Sequence, residues 1–115
     1  MQVTPVLGRI HSKAEVEANP AEVDAVFDVP LTTFLSADPQ QYSHRDTTKS
    51  FGNSISYRLH FFQCGEFCVW GLTAGILIEA AKLALGREPE FQMSPSGREY
   101  SDIVYNDESG QVVYR

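Results

Sequence analysis

An α/β fold, with a few sheet strands, one long helix near the C-terminus and a terminal hairpin, follows from three features of the sequence. Residues 55–63 alternate, placing Tyr57, Leu59 and Phe61 on one side and Arg58, His60 and Phe62 on the other, which is the period of a strand. Residues 67–85 are rich in helix formers and stop at Gly86, where a C-terminal cap belongs. The runs Ile103-Val104-Tyr105 and Val112-Val113-Tyr114 flank the turn-forming stretch from Asn106 to Gly110, which predicts a hairpin.

Along the chain, residues 3–10 are short and apolar but contain Pro5 and Gly8, so they predict an edge or irregular strand. Asn19-Pro20 marks a turn after a polar, acidic stretch. Val23, Ala25 and Phe27 then alternate with Glu22, Asp24 and Asp28, predicting a half-buried strand that stops at Pro30. Leu31, Phe34 and Leu35 recur at helical spacing after that proline, whose fixed φ suits a first turn, so a short helix is expected to end near Ser36. Residues 38–53 are polar, with Pro39 and Gly52, and read as a long loop of the kind that carries function. Residues 87–97, with Pro89 and Pro95, read as irregular, and no internal repeat or low-complexity tract is present.

The chain has 115 residues, enough for one core that buries roughly two-thirds of the surface exposed on unfolding. Its 43% hydrophobic and 21% charged residues are those of a globular domain rather than a disordered or membrane protein. A formal charge of -6 and a pI near 4.9 argue against nucleic acid as a partner, since phosphate-backbone binding needs a basic surface. An anionic small molecule stays compatible if a divalent cation bridges carboxylates and phosphates. The first residues carry no basic region followed by an apolar run, and Val112-Val113-Tyr114-Arg115 is not a peroxisomal address, so an intracellular site, cytoplasmic or organellar, is expected. The two cysteines fit a reducing compartment.

Candidate chemistry is sparse. Gly71 and Gly75 have the spacing that lets membrane helices approach, but Glu79 and Lys82 interrupt the apolar run, so a core helix is expected and not a membrane span. His60, Cys64 and Cys68 offer three metal ligands where structural zinc takes four, and they straddle a strand-to-helix junction, so buried thiols are the expectation. His11 and His44 lie in polar segments. Glu15, Glu17, Glu22, Asp24 and Asp28 could hold Mg²⁺ or act as acid and base, but their alternation with apolar residues describes a solvated strand face. Phosphate-binding loop, dinucleotide fingerprint and nucleophile elbow are all missing.

Three segments in one order carry a resemblance. They are Val3-Thr4-Pro5-Val6-Leu7-Gly8; then Asn19-Pro20-Ala21-Glu22-Val23-Asp24-Ala25-Val26-Phe27-Asp28-Val29-Pro30-Leu31 with Phe34-Leu35; then Tyr57-Arg58-Leu59-His60-Phe61-Phe62 leading to Val69-Trp70-Gly71-Leu72-Thr73-Ala74-Gly75-Ile76-Leu77. Together they resemble the region that follows the Nudix box in Nudix hydrolases of the coenzyme A diphosphatase type. The resemblance covers residues 3–91 and implies the C-terminal part of an α/β/α sandwich, with residues 92–115 as an extension bearing the hairpin. It also implies a family that cleaves the diphosphate of coenzyme A or of nucleotide derivatives with Mg²⁺ or Mn²⁺.

The family's metal ligands lie on a helix where an arginine-glutamate pair precedes two adjacent glutamates, and no residue here matches that pattern. Arg87-Glu88 runs into Pro89, and Arg98-Glu99 into Tyr100-Ser101-Asp102-Ile103. The expectation is a chain without catalytic or metal-binding residues of its own, inactive alone, whose Met1 is an internal methionine, an alternative start or a misjudged boundary. By alternation, Arg58 and His60 form an outward set that, with the 38–53 loop, faces the acyl or pantetheine part of a substrate. The alternative is a noncatalytic module for binding or dimerisation, for which the 67–85 helix and the hairpin supply surface; either way, unpaired strand edges predict self-association.

Overall fold

The computed structural model describes residues 3–51, 53–95, 103–106 and 111–114. Its centre is a three-stranded antiparallel sheet in the order β1-β2-β3, formed by β1 (Tyr42–Phe51), β2 (Asn53–Cys64) and β3 (Phe67–Trp70). A helix, α1 (Gly71–Leu85), leaves the end of β3, and a short 3-10 helix, Leu31–Leu35, packs beside it. A separate two-stranded sheet follows, β4 (Ile103–Asn106) antiparallel to β5 (Gln111–Tyr114). Among the described residues no helix is long and apolar enough to cross a membrane.

The core lies between the sheet and the helices. Phe34, Leu35, Phe62, Ala74, Ile78, Ala81 and Met93 are buried, with Val29, Leu31, Tyr42, Val69 and Phe91 packed around them. Ala74, Ile78 and Ala81 repeat at helical spacing, so small residues on one stripe of α1 let it sit close to the strands. Phe34 meets the ring edge of Phe62 at 5.1 Å, which ties the 3-10 helix to the centre of β2.

Several elements form where the sequence signals them. Residues 31–35 are helical directly after Pro30, although as a 3-10 turn. Asn19 closes the expected turn by accepting the Val23 amide at 2.8 Å on its carbonyl and the Ala21 amide at 3.1 Å on its side chain. The terminal hairpin pairs Ile103 with Tyr114, Val104 with Val113 and Tyr105 with Val112, the alignment its two apolar runs predict.

Four expectations are corrected. Residues 3–10 form no strand and lie exposed, Val6 at 89% of its full accessibility. Residues 23–27 likewise pair with no neighbour, so their alternation has no sheet to serve, and Glu15, Glu17, Glu22, Asp24 and Asp28 are exposed on irregular chain. The 38–53 loop is a turn followed by β1. Asp38 makes the turn by accepting the amides of Gln41 and Tyr42 on its carbonyl and that of Gln40 on its side chain, after which residues 42–51 pair with β2 in unbroken register. An edge strand open to water on one side can be almost wholly polar, and that composition hid it.

The fourth correction concerns the long helix. Residues 67–70 are the edge strand β3, and the helix starts at Gly71, whose φ of 67° turns the chain from strand into helix. A continuous apolar run does not distinguish strand from buried helix, which is why the glycine went unread as a boundary. At the other end Gly86 takes φ 63° and ψ 35° and donates its amide to the Lys82 carbonyl at 2.9 Å, the expected left-handed cap. Its missing Cβ would meet nothing within 4 Å, so the conformation alone demands glycine. Gly86→Ala is expected to cost about 1–2 kcal/mol of stability, read as a lowered urea midpoint with an unchanged slope.

Candidate functional site

The side chains with most chemistry meet on the face of β2 that carries Arg58, His60 and Phe62. Antiparallel pairing sets Tyr42 opposite Phe62, His44 opposite His60 and Asp46 opposite Arg58, so β1 delivers a tyrosine, an imidazole and a carboxylate to the same face. Residues 90–94 then cross this face as a strap. The Glu90 amide donates to the Leu35 carbonyl at 2.8 Å, Phe91 stacks on Tyr42 at 4.3 Å, and Met93 and Ser94 are buried.

Arg58 grips Asp46 with two parallel hydrogen bonds, Nε to Oδ1 at 2.7 Å and Nη2 to Oδ2 at 3.1 Å, and sends Nη1 to the Gln92 carbonyl at 3.2 Å. This fork on a carboxylate is the strong geometry for an arginine. The guanidinium holds the Asp46 carboxyl below the usual carboxylate range, and the carboxylate raises Arg58 in return.

His60 is only 2% exposed, and both ring nitrogens have partners. Nε2 lies 3.0 Å from the Met93 carbonyl, which can only accept, so Nε2 carries the proton. In the neutral ring Nδ1 is therefore the acceptor, and the Tyr42 hydroxyl donates to it at 2.8 Å. Burial lowers the His60 pKa, with Arg58 and His44 adding repulsion, while burial pushes Tyr42 up to about 12.

These shifts fix the direction of two pH effects. A histidine whose folded pKa lies below its unfolded value of roughly 6.5 contributes stability that is whole above that pH and lost as pH falls through the folded pKa. A tyrosine raised to about 12 contributes stability that is whole below its unfolded pKa near 10 and lost on the way up to the folded one. Urea midpoints measured across pH should therefore fall on the acid side of about 6.5 and on the alkaline side of about 10.

The sequence thus joined Arg58 and His60 correctly but read their side of the strand the wrong way. They sit on the face that packs toward α1 and the strap, not on an outward one. The opposite face, with Tyr57, Leu59 and Phe61, is the more open. There Phe61 stacks on Trp70 at 5.8 Å and 8°, Arg45 lies 5.9 Å over the Phe61 ring, and Trp70 stays 55% exposed. Tyr42, Asp46, Phe91 and Met93 were missed as members of the cluster. The one legible signal was Tyr42-Ser43-His44-Arg45-Asp46, whose alternate residues share a face if the stretch is a strand.

His60, Cys64 and Cys68 do not converge. Cys64 shares the His60 face of β2, whereas Cys68 pairs with Gln63 on the other, and both thiols are free. No group of three His, Cys, Asp or Glu side chains suited to a metal ion occurs among the described residues. An open cleft of about 410 Å³ lies beside Cys64, walled by the stacked Phe27 and Phe67 rings at 4.4 Å and by Thr33 and Gln41.

No family model matches the chain. Curated proteins do. The chain is 36% identical over 97 residues to Nudix hydrolase 15, mitochondrial, of Arabidopsis thaliana, covering 79% of this chain and 32% of that protein. It is 32% identical over 109 residues to Nudix hydrolase 22, chloroplastic, of the same plant, covering 90% of this chain and 34% of that protein. It is 39% identical over 88 residues to an uncharacterized Nudix hydrolase NudL of Klebsiella pneumoniae, covering 76% of this chain and 43% of that protein. The chain thus spans less than half the length of the curated relatives it matches, and their shared name supports the Nudix family.

Proposed function

We propose, taking as premise that this sequence is related to part of the Nudix hydrolases, that the chain is the C-terminal sheet-and-helix portion of a metal-dependent diphosphate hydrolase. The observation that carries this reading is the similarity, spread over most of this chain yet confined to about a third of the two plant relatives. The substrate class is the diphosphate of coenzyme A or of a nucleotide derivative. The finer resemblance rests on Tyr57-Arg58-Leu59-His60-Phe61-Phe62 leading into Val69-Trp70-Gly71-Leu72-Thr73-Ala74.

The packing supports this reading. In an α/β/α arrangement both faces of the sheet are covered, and here one face is covered by α1 while the other presents Phe61 and an exposed Trp70. Val6, Ile10, Val16 and Val26 are also more than half exposed, apolar surface that a further layer of chain would bury.

Among the described residues no carboxylates converge as Mg²⁺ or Mn²⁺ would need, and on this reading the metal-bearing carboxylates are those of the Nudix box, with this portion inactive without it. Its own contribution is to shape a wall of the substrate pocket. Arg58 and His60 act there as positioning residues by holding the Gln92 and Met93 carbonyls, and thereby the strap, in place. Residues 1–91 form the Nudix portion and residues 92–115 an extension. In a protein that also contains the upstream box, Arg58→Ala should raise KM for the diphosphate substrate with little change in kcat; unchanged substrate affinity would remove the assignment.

Reading the transcript upstream of the Met1 codon tests the whole proposal. A continuous frame encoding the arginine-glutamate and paired-glutamate pattern is the expected result. A transcript beginning at Met1 would instead favour a noncatalytic module for binding or dimerisation, the second reading, which the open Phe61 and Trp70 face supports. That module should elute as a concentration-dependent oligomer.

A further inference from the structure

We propose that the cleft between residues 27–33 and the turn joining β2 to β3 binds a small organic cation, an amine carried on a short apolar body. At about 410 Å³ it has the size of a small-molecule site. Its walls come from separate parts of the chain, and each is held from behind. On one side Gly65, at φ 63°, lets two residues turn the chain from Cys64 to its partner Phe67, and the Gln63 side-chain amide donates to the Gly65 carbonyl at 2.9 Å. On the other side residues 27–30 run into the 3-10 helix, which Phe34 anchors on Phe62. Phe27 lies flat on Phe67 at 4.4 Å and 13°, joining the walls, and the Gln63 backbone amide fixes Gln41 by donating to its carbonyl at 2.8 Å. The shape is therefore set before a ligand arrives.

The lining selects the sign of that ligand. Asp28 stands on one wall and Glu66 on the other, both exposed and neither in an ion pair among the described residues, while no Lys, Arg or His lines the cleft. Two carboxylates repel an anion, and the negative faces of the phenylalanine rings attract an ammonium as the carboxylates do. Further hydrogen-bonding capacity is uncommitted. The Thr33 hydroxyl and the Gln41 side-chain amide have no partner among the described residues, whereas the Cys64 thiol donates to the Phe62 carbonyl at 3.7 Å. Thr33 is otherwise buried, and a polar group in such a place is ordinarily paired.

A metal ion is the wrong cation for this site. Mg²⁺ keeps much of its water and asks for an octahedron of oxygens, but Phe27, Val29, Pro30 and Phe67 make much of the wall apolar, and among the described residues no three His, Cys, Asp or Glu side chains converge. An amine on an apolar body uses both kinds of surface, its body against the rings and its charge toward Asp28 and Glu66. The site does not depend on the hydrolase reading, since it needs only residues 27–67.

Three probes of one shape and different charge test it on the whole chain: 2-phenylethylamine, 2-phenylethanol and 3-phenylpropionate. Binding is read by NMR from the Gly65 and Phe67 amides at the cleft, with the Ile78 amide, inside α1, as a control that should not move. The amine should give a saturable shift, the alcohol should bind about five- to tenfold more weakly for want of two exposed charge pairs, and the propionate more weakly still. Asp28→Asn combined with Glu66→Gln keeps the shape of both side chains and removes their charge; it should lower the amine to the affinity of the alcohol and leave the alcohol unchanged. Shifts that do not saturate, equal affinity for amine and propionate, amine affinity that survives the double variant, or displacement of the amine by an equal concentration of Mg²⁺ would each overturn the proposal. Should the double variant fail to fold, the order of the three probes on the parent decides.

Discussion

Phe62→Ala is expected to destabilise the chain by about 3–5 kcal/mol, enough to remove most of the stability of a domain this small. Phe62 is fully buried, lies at the centre of β2, meets the ring edge of Phe34 at 5.1 Å and sits within 6 Å of both Tyr42 and Phe91. It is therefore the point where the sheet, the 3-10 helix and the strap share one contact. Truncation leaves a cavity lined by three aromatic rings that cannot collapse without moving separate elements, so the cost falls at the upper end for a core aromatic. Thermal unfolding followed by circular dichroism should shift down by roughly 12–20 °C, at about 4 °C per kcal/mol. A shift of a degree or two would show that β2 does not pack against the 3-10 helix as described.

His60→Leu should cost about 2–3 kcal/mol, although leucine is the more hydrophobic residue. The change leaves the Met93 carbonyl, on a residue 7% exposed, without its donor, and takes away the acceptor of the Tyr42 hydroxyl. His60→Gln, which restores both partners in kind, should cost about 1 kcal/mol. The contrast identifies hydrogen bonding rather than volume as the role of the ring. In the leucine variant the part of the acid-side fall that begins just below pH 6.5 should also vanish, because that titrating group is gone, while the fall at lower pH from Asp46 remains. Equal costs for leucine and glutamine would point to packing alone.

How much of this was readable beforehand depended on where each element finds its partners. β2 was legible because its alternation is internal to the strand, and Gly86 because a cap is a local event. β1 was not, since Ser43, Arg45 and Thr47 on one side and His44, Asp46 and Thr48 on the other carry no apolar contrast, and its partner lies on the far side of a turn. The start of α1 was hidden by Phe67-Cys68-Val69-Trp70, apolar enough to continue a helix.

The face sense of β2 failed for a more instructive reason. By hydropathy, Tyr57, Leu59 and Phe61 look like the core and Arg58 and His60 like the surface. The packed face is the second one, because Arg58 and His60 are satisfied by Asp46, Tyr42 and the backbone of Gln92 and Met93, none of which is near them in sequence. Buried polar groups are invisible to pattern reading unless their partners are known. The alternate face is the apolar one by sequence yet stays partly open, with Trp70 55% exposed beside Phe61.

Diphosphate hydrolysis measured with Mg²⁺ or Mn²⁺ on two samples tests the central claim most directly: this chain alone, and this chain joined in frame behind the preceding portion of a Nudix relative, including its box. The account predicts product from coenzyme A or a nucleotide diphosphate derivative in the joined protein and background in the chain alone. Metal-dependent turnover by the chain alone would contradict it, as would a joined protein that folds and binds metal but turns over none of these diphosphates.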